Sequence, residues 1–247
     1  MDYHRAPVAV GVVALVVVAA LAGCLGAGAP YEGSPPPEQI EQRHVDALRG
    51  AGSFTYRARL DANASVAQFS TNVTAAVQYD PASRLVEVNT SQASESRYVP
   101  PEGPAYGRVV AGDSVTYRRL DAASIQNVSR YERPSLSNLT RAYDFERAGT
   151  ATVDGEKTWV YRANATTLNE SAVGPVGEAA SQLENVHTTI RLYVRSDGLV
   201  KRLQYRVDAT VMGRDLSLTY RVTYTDVGST AVTAPDWLDE AKDLAGV

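Results

Sequence analysis

Residues 188–227 read TTIRLYVRSDGLVKRLQYRVDATVMGRDLSLTYRVTYTDV, and their two-residue alternation decides the fold. Ile190, Leu192, Val194, Leu203, Tyr205, Val207, Leu218, Tyr220, Val222 and Tyr224 fall on one side, while Arg191, Arg195, Arg202, Arg206, Arg221 and several threonines fall on the other. Successive side chains of a strand leave opposite faces, so this stretch predicts sheet with one dry and one wet side. Asp197-Gly198 and Met212-Gly213 break the pattern where glycine can supply a positive φ, which predicts a three-strand antiparallel meander.

The same alternation extends outward. Residues 73–79 and 84–88 flank Asp80-Pro81, residues 108–110 and 114–120 flank Ala111-Gly112-Asp113, and residues 148–153 and 157–163 flank Asp154-Gly155. Each pair predicts a hairpin. Ahead of them, Ile40, His44, Ala47, Leu48 and Ala51 recur at helical spacing, with Glu38 in the first turn and Gly50 and Gly52 at the end. The period then changes to two at Phe54, Tyr56, Ala58 and Leu60. Leu136, Leu139 and Tyr143 behind Pro134-Ser135 predict a second helix. Val176, Ala180, Leu183 and His187 behind Pro175 predict a third, and Leu238, Ala241 and Leu244 behind Pro235 a fourth. The fold expected is α+β: a curved antiparallel half-barrel sheet with one apolar face covered by a few short helices.

Two readings of the dry face stand side by side. In one, the short helices leave part of the concavity unfilled, and Phe54, Tyr56, Trp159, Tyr161, Leu192, Val194, Leu203, Tyr205, Leu218 and Tyr220 line a site for a lipophilic guest. In the other, the same residues are a solid core. The arginine-threonine face likewise either attracts anionic partners or is simply the solvated side of a sheet.

The chain begins with Asp2, His4 and Arg5, continues with the apolar run 8–22 and reaches Leu21-Ala22-Gly23-Cys24. This pattern is that of a secretory signal, and a cysteine directly after Leu-Ala-Gly resembles the lipobox of lipoproteins. The run is short for a membrane-spanning helix. The organisation expected is a signal peptide with lipobox over 1–23, a flexible Gly/Pro-rich spacer over 24–37 and a domain over 38–247, tethered to the extracellular side of the cell membrane by lipid on Cys24. Cys24 is the one cysteine, so neither disulfides nor a thiolate metal site can form within the chain. His44 and His187 are the histidines left after cleavage, and no metal or cofactor is expected. A formal charge of −4 without basic blocks excludes a nucleic-acid footprint. Asn63, Asn72, Asn89, Asn127, Asn138, Asn164 and Asn169 each begin an Asn-x-Ser/Thr acceptor for a glycan.

The helix running into Gly52-Ser53-Phe54-Thr55-Tyr56, the turn Thr152-Val153-Asp154-Gly155 leading to Trp159-Val160-Tyr161, and Tyr193-Val194 followed by Asp197-Gly198-Leu199-Val200-Lys201-Arg202-Leu203 resemble the lipoprotein-carrier superfamily. That group includes LolA-like carriers and mycobacterial lipid-binding lipoproteins. With the lipobox, and with arginine far outnumbering lysine, the chain is similar to an uncharacterised group of haloarchaeal lipoproteins. The resemblance implies a half-open sheet that binds acyl chains or a lipidated protein, and it brings no catalytic residue. No Gly-x-Ser-x-Gly, Ser-x-x-Lys, His-Glu-x-x-His or phosphate-loop motif is present. A non-enzymatic lipoprotein carrying a lipophilic ligand is the expectation; a surface interaction or sensor module without ligand is the alternative.

Overall fold

The structure is a computed structural model and describes residues 28–64, 67–121, 127–166 and 183–244. Cys24 and Asn169 lie outside these residues, as do Val176 and Ala180 of the expected third helix. The other two residues of that helix, Leu183 and His187, belong to a strand, which corrects the expectation for them.

Helix α1 (Pro37–Ala51) starts with a proline, whose missing N–H is no loss in a first turn, and carries Glu38 there and Arg49 in its last turn. It ends at Gly52, whose φ of 80° lets its N–H reach back to the Arg49 carbonyl. The chain then enters β1 (Ser53–Ala64), followed by β2 (Ala67–Tyr79), β3 (Ala82–Thr90), β4 (Ser94–Val99), β5 (Ala105–Ala111) and β6 (Ser114–Leu120). Two short helices, α2 (Ser129–Glu132) and α3 (Leu136–Ala142), precede β7 (Glu146–Val153), β8 (Glu156–Ala165), β9 (Leu183–Val194), β10 (Val200–Val211) and β11 (Arg214–Thr225). The short helix α4 (Leu238–Leu244) comes last.

Among the described residues the eleven strands make one antiparallel sheet in the order β6-β5-β4-β3-β2-β1-β11-β10-β9-β8-β7. Two consecutive meanders therefore meet along β1 and β11, where Tyr56 lies opposite Tyr224 and Leu60 opposite Tyr220. Strands β6 and β7 are the outer edges, so the curved sheet is an open half-barrel. The turn residues behave as their chemistry requires: Asp154-Gly155 and Met212-Gly213 take positive φ at both positions of two-residue hairpin loops.

The register puts Val77, Phe54, Tyr224, Leu203, Leu192 and Tyr161 on one face, here called inner, and Arg59, Arg221, Arg206 and Thr189 on the other. Helices α1 to α3 cover part of the inner face. The outer face carries ion pairs between residues two apart on one strand, Arg59 with Asp61 and Arg206 with Asp208. Such exposed pairs contribute about 0–1 kcal/mol each and mainly keep that face wet.

Helix α4 does not join the other three. Leu238 and Ala241 pack with Tyr98 and Tyr106, which the register places on the outer face, and Leu85, Tyr117, Val232 and Trp237 border this second cluster. The segment leading to α4 is tied across that face by Thr230 to Thr55 and by Val232 to Gln78.

The Asp197-Gly198 turn lies directly beneath α1. A Cβ on Gly198 would sit 2.7 Å from the Arg43 Cβ, at a φ of 96° that side chains rarely adopt. Arg43 in turn donates to the carbonyls of Pro30 and Ser196. Gly198→Ala is expected to lower stability by about 1–3 kcal/mol, combining overpacking with a strained backbone. Urea denaturation checks this; Gly155→Ala, with open space around its Cβ, separates the strain from the clash.

Candidate functional site

All ten sequence-nominated lining residues come together on the inner face. Nine of them, Phe54, Tyr56, Trp159, Tyr161, Leu192, Val194, Leu203, Tyr205 and Leu218, are buried, and Tyr220 is half-buried. They belong to one continuous cluster with Ile40 and Leu48 of α1, Tyr131 of α2, and Leu136 and Leu139 of α3. Under the helices the sheet is therefore packed solid.

The segment before α1 adds to this cover. Tyr31 is buried, its N–H donates to the Tyr161 hydroxyl at 3.0 Å, and that hydroxyl donates to the Tyr31 carbonyl at 2.6 Å. The second half of the stretch read as a spacer is thus docked on the sheet, because a Gly/Pro-rich composition hid one aromatic anchor.

Two buried polar groups hold the cover in place. Glu132 of α2 is 1 % exposed and accepts from Arg49 at 2.9 and 3.0 Å and from the Tyr79 hydroxyl at 2.6 Å, which fastens α1, α2 and β2 together. Burial alone would raise its carboxyl, but the hydrogen bonds from Arg49 and Tyr79 prevail and hold it below the usual carboxylate range. His44 of α1 is fully buried; its Nδ1 accepts from the Val200 N–H at 3.1 Å, and its ring stands edge-on to Tyr224 at 4.6 Å. Burial pushes its pKa down to about 3, against the opposing pull of Glu41, Glu132 and Asp197.

Among the described residues no helix covers the inner face toward the β1–β2 turn. Leu60, Val73, Val88, Leu216 and Tyr220 are only half-buried, and Phe69, opposite Ala62 on the same face, is 46 % exposed. The Tyr56 and Tyr220 hydroxyls, 3.2 Å apart, mark the boundary between the solid core and this open end. The alternation in sequence puts Leu60 on the dry face, but which end of that face the helices leave bare depends on contacts between distant parts of the chain.

Other concavities differ in character. One cleft of about 500 Å³ lies at the strand ends among Asn63, His187, Asp208, Asp215 and Ser217 and reaches Ala209 and Leu216. Another of about 430 Å³ lies among Arg57, Asp154, Glu156, Lys201 and Asp226. Neither is an enclosed apolar chamber. Of the acceptor asparagines, Asn63, Asn72, Asn89 and Asn164 fall on the outer face by register, while Asn127 and Asn138 lie before α2 and on α3.

A family model described as Family of unknown function (DUF7537) matches residues 32–241. No curated protein matches the sequence. Among solved structures, the chain is similar to the lipoprotein LppX of Mycobacterium tuberculosis, at 14 % identity over 80 % of this chain and 98 % of that one, with a TM-score of 0.41. It is also similar to LprF from Mycobacterium bovis, at 16 % identity over 83 % and 99 % with a TM-score of 0.38. A LolA superfamily protein from Nitrosomonas europaea gives 11 % identity over 83 % and 97 %, with a TM-score of 0.23.

Proposed function

We propose, for a chain that belongs to the family of unknown function DUF7537, the role of a lipid-tethered extracytoplasmic domain that holds a lipophilic ligand on the open end of its inner sheet face and catalyses no reaction. The observation that carries this reading is the apolar wall of Leu60, Val73, Val88, Leu216 and Phe69, which the protein leaves partly in contact with water. Contiguous apolar surface of this kind marks a binding site on a soluble domain. The solid core behind it supplies a rigid platform, so little conformational entropy is lost when a chain is laid against it.

In this reading lipid on Cys24 is the anchor. Among the described residues no helix is long and apolar enough to cross a membrane. Tyr31 is fixed to the sheet, Arg43 holds the Pro30 carbonyl and Ala29 packs against the core, so the chain from residue 24 to residue 28 can span at most about 18 Å. The domain would hang close to the bilayer, its ligand face within reach of lipid. Glycans on Asn63, Asn72, Asn89 and Asn164 would occupy the opposite face and leave the ligand side clear. The arginine-over-lysine bias supports a haloarchaeal origin.

Native mass spectrometry of the protein, extracted gently from its own membrane, tests both parts. The expected spectrum shows a mature chain beginning at Cys24 with a two-chain lipid adduct, since two chains are needed for stable attachment, together with a second, dissociable lipid. An unmodified Cys24 overturns the tether. A chain that never carries a dissociable lipid overturns the ligand site and favours the ligand-free interaction module.

A further inference from the structure

The inner face changes character abruptly between β3 and β4. Val86 and Val88 of β3 end the apolar wall, and their cross-strand neighbours on β4 are Arg97 and Glu95. Beyond them, Arg118 of β6 shares the same face, because Arg97 lies opposite Gly107 and Gly107 opposite Arg118. Gly107 carries no side chain, and a Cβ there would come to 3.4 Å from the Arg118 Nε. That gap on β5 lets Arg118 lie across the strand and reach Glu95.

Glu95 is already paired. It accepts from Arg97 at 2.9 and 2.7 Å and from Arg118 as well, and the Arg97 hydrogen bonds hold its carboxyl below the usual range. Arg84, two residues before Val86 on β3, and Arg130 of α2 complete the group: with Arg97 they act electrostatically on the Tyr131 hydroxyl, against the burial that raises its pKa. Among the described residues neither Arg84 nor Arg130 has a carboxylate within 4.0 Å. Two guanidinium groups therefore share one carboxylate at the border of an apolar wall, and two more stand nearby without one. Arg84 is half-buried, and a cation partly withdrawn from water without a counter-charge is unfavourable.

From this juxtaposition, and resting on the ligand site proposed above, we infer that the ligand is an anionic lipid whose oxyanion head is held by Arg84, Arg97, Arg118 and Arg130 while its chain lies over Leu60, Val73 and Val88. Planar guanidinium forks match the oxygens of a carboxylate or phosphate in pairs, which a diffuse positive surface would not do. The chain supplies the affinity and the head fixes its direction, tail toward the β1–β2 turn.

The test is displacement of a dansyl-labelled fatty acid from the delipidated full-length protein by oleate, by methyl oleate and by inorganic phosphate. Oleate is expected to displace the probe at least tenfold more tightly than its uncharged ester, and phosphate alone is expected not to compete at millimolar concentration. Arg84→Gln combined with Arg130→Gln should bring the acid-to-ester ratio down to about one to three without changing the affinity for methyl oleate. A ratio near one in the wild type overturns the head-group assignment and leaves the lipophilic site standing. Competition by phosphate equal to that of oleate overturns the role of the chain. Failure of the probe to bind at all sinks the lipophilic site itself. The wild-type ratio decides the matter even if the double variant does not fold.

Discussion

Truncating Tyr224 to alanine is expected to lower stability by about 3–5 kcal/mol, among the largest effects a single substitution can have here. The ring is wholly buried on β11, with centroids of Phe54, Tyr56 and His44 at 5.8, 5.7 and 4.6 Å. Its hydroxyl donates to the Tyr131 carbonyl at 2.7 Å, so the side chain joins the sheet seam to both α1 and α2. Removing it opens a cavity at the junction of three elements, which cannot all collapse inward. Tyr224→Phe keeps the ring and strands one carbonyl, for about 1–3 kcal/mol. Thr223→Ala, one residue away on the outer face, should stay within about 0.5 kcal/mol. Urea midpoints for the three variants check the ranking, and equal losses for Thr223→Ala and Tyr224→Ala would contradict the assignment of faces.

The second large effect is acid destabilisation through His44. In the unfolded chain this imidazole titrates near 6.5, whereas burial in the fold pushes it down to about 3. A base with a depressed folded value binds its proton more readily when unfolded. Its contribution to stability is therefore fully present above pH 6.5 and lost as the pH falls toward 3, by about 1.4 kcal/mol per unit. Between pH 6.5 and 5 the loss is about 2 kcal/mol, in a range above that of the carboxylates. The Glu132 carboxylate, held below its usual range, adds its own loss only at still lower pH. Stability measured against pH should fall steeply in the wild type over this window and much less in His44→Gln. The same slope in both proteins would show that His44 is not the group responsible.

The residues that announced the fold were those whose neighbours in sequence are also their neighbours in the sheet. Asp154-Gly155 and Met212-Gly213 carry their turn geometry in their own chemistry, and the alternation in 188–227 needs no knowledge of the rest of the chain. Strand β4 was not legible, because its inner positions hold Glu95 and Arg97 where an apolar residue would have signalled burial. Strand β2 begins at Ala67, six residues before its alternation is recognisable, because Gln68, Ser70 and Asn72 surround a single aromatic. Leu183 and His187 fit a helical spacing, yet pairing with β10 places them in a strand. The nominated lining residues were found on the right face. What could not be read was where helices of a few residues would settle on it, since that depends on contacts such as Glu132 with Arg49 that join positions 83 apart. The arginine group was invisible for the same reason: Arg84, Arg97 and Arg118 share a face only through register, and Arg130 joins them from a helix.

Among the described residues strand β1 comes first along the chain, yet it lies in the middle of the sheet, with β2 on one side and β11 on the other. Its partner across that second edge is Arg214–Thr225, so a nascent chain carries a naked row of amide and carbonyl groups until about 150 residues beyond β1 have been synthesised. Each wing can zip up locally, but joining them is a single late event between distant parts of the chain, the kind that slows folding and invites pairing with strangers. Removing β11 would thus strand β1, turning a central element into a sticky rim.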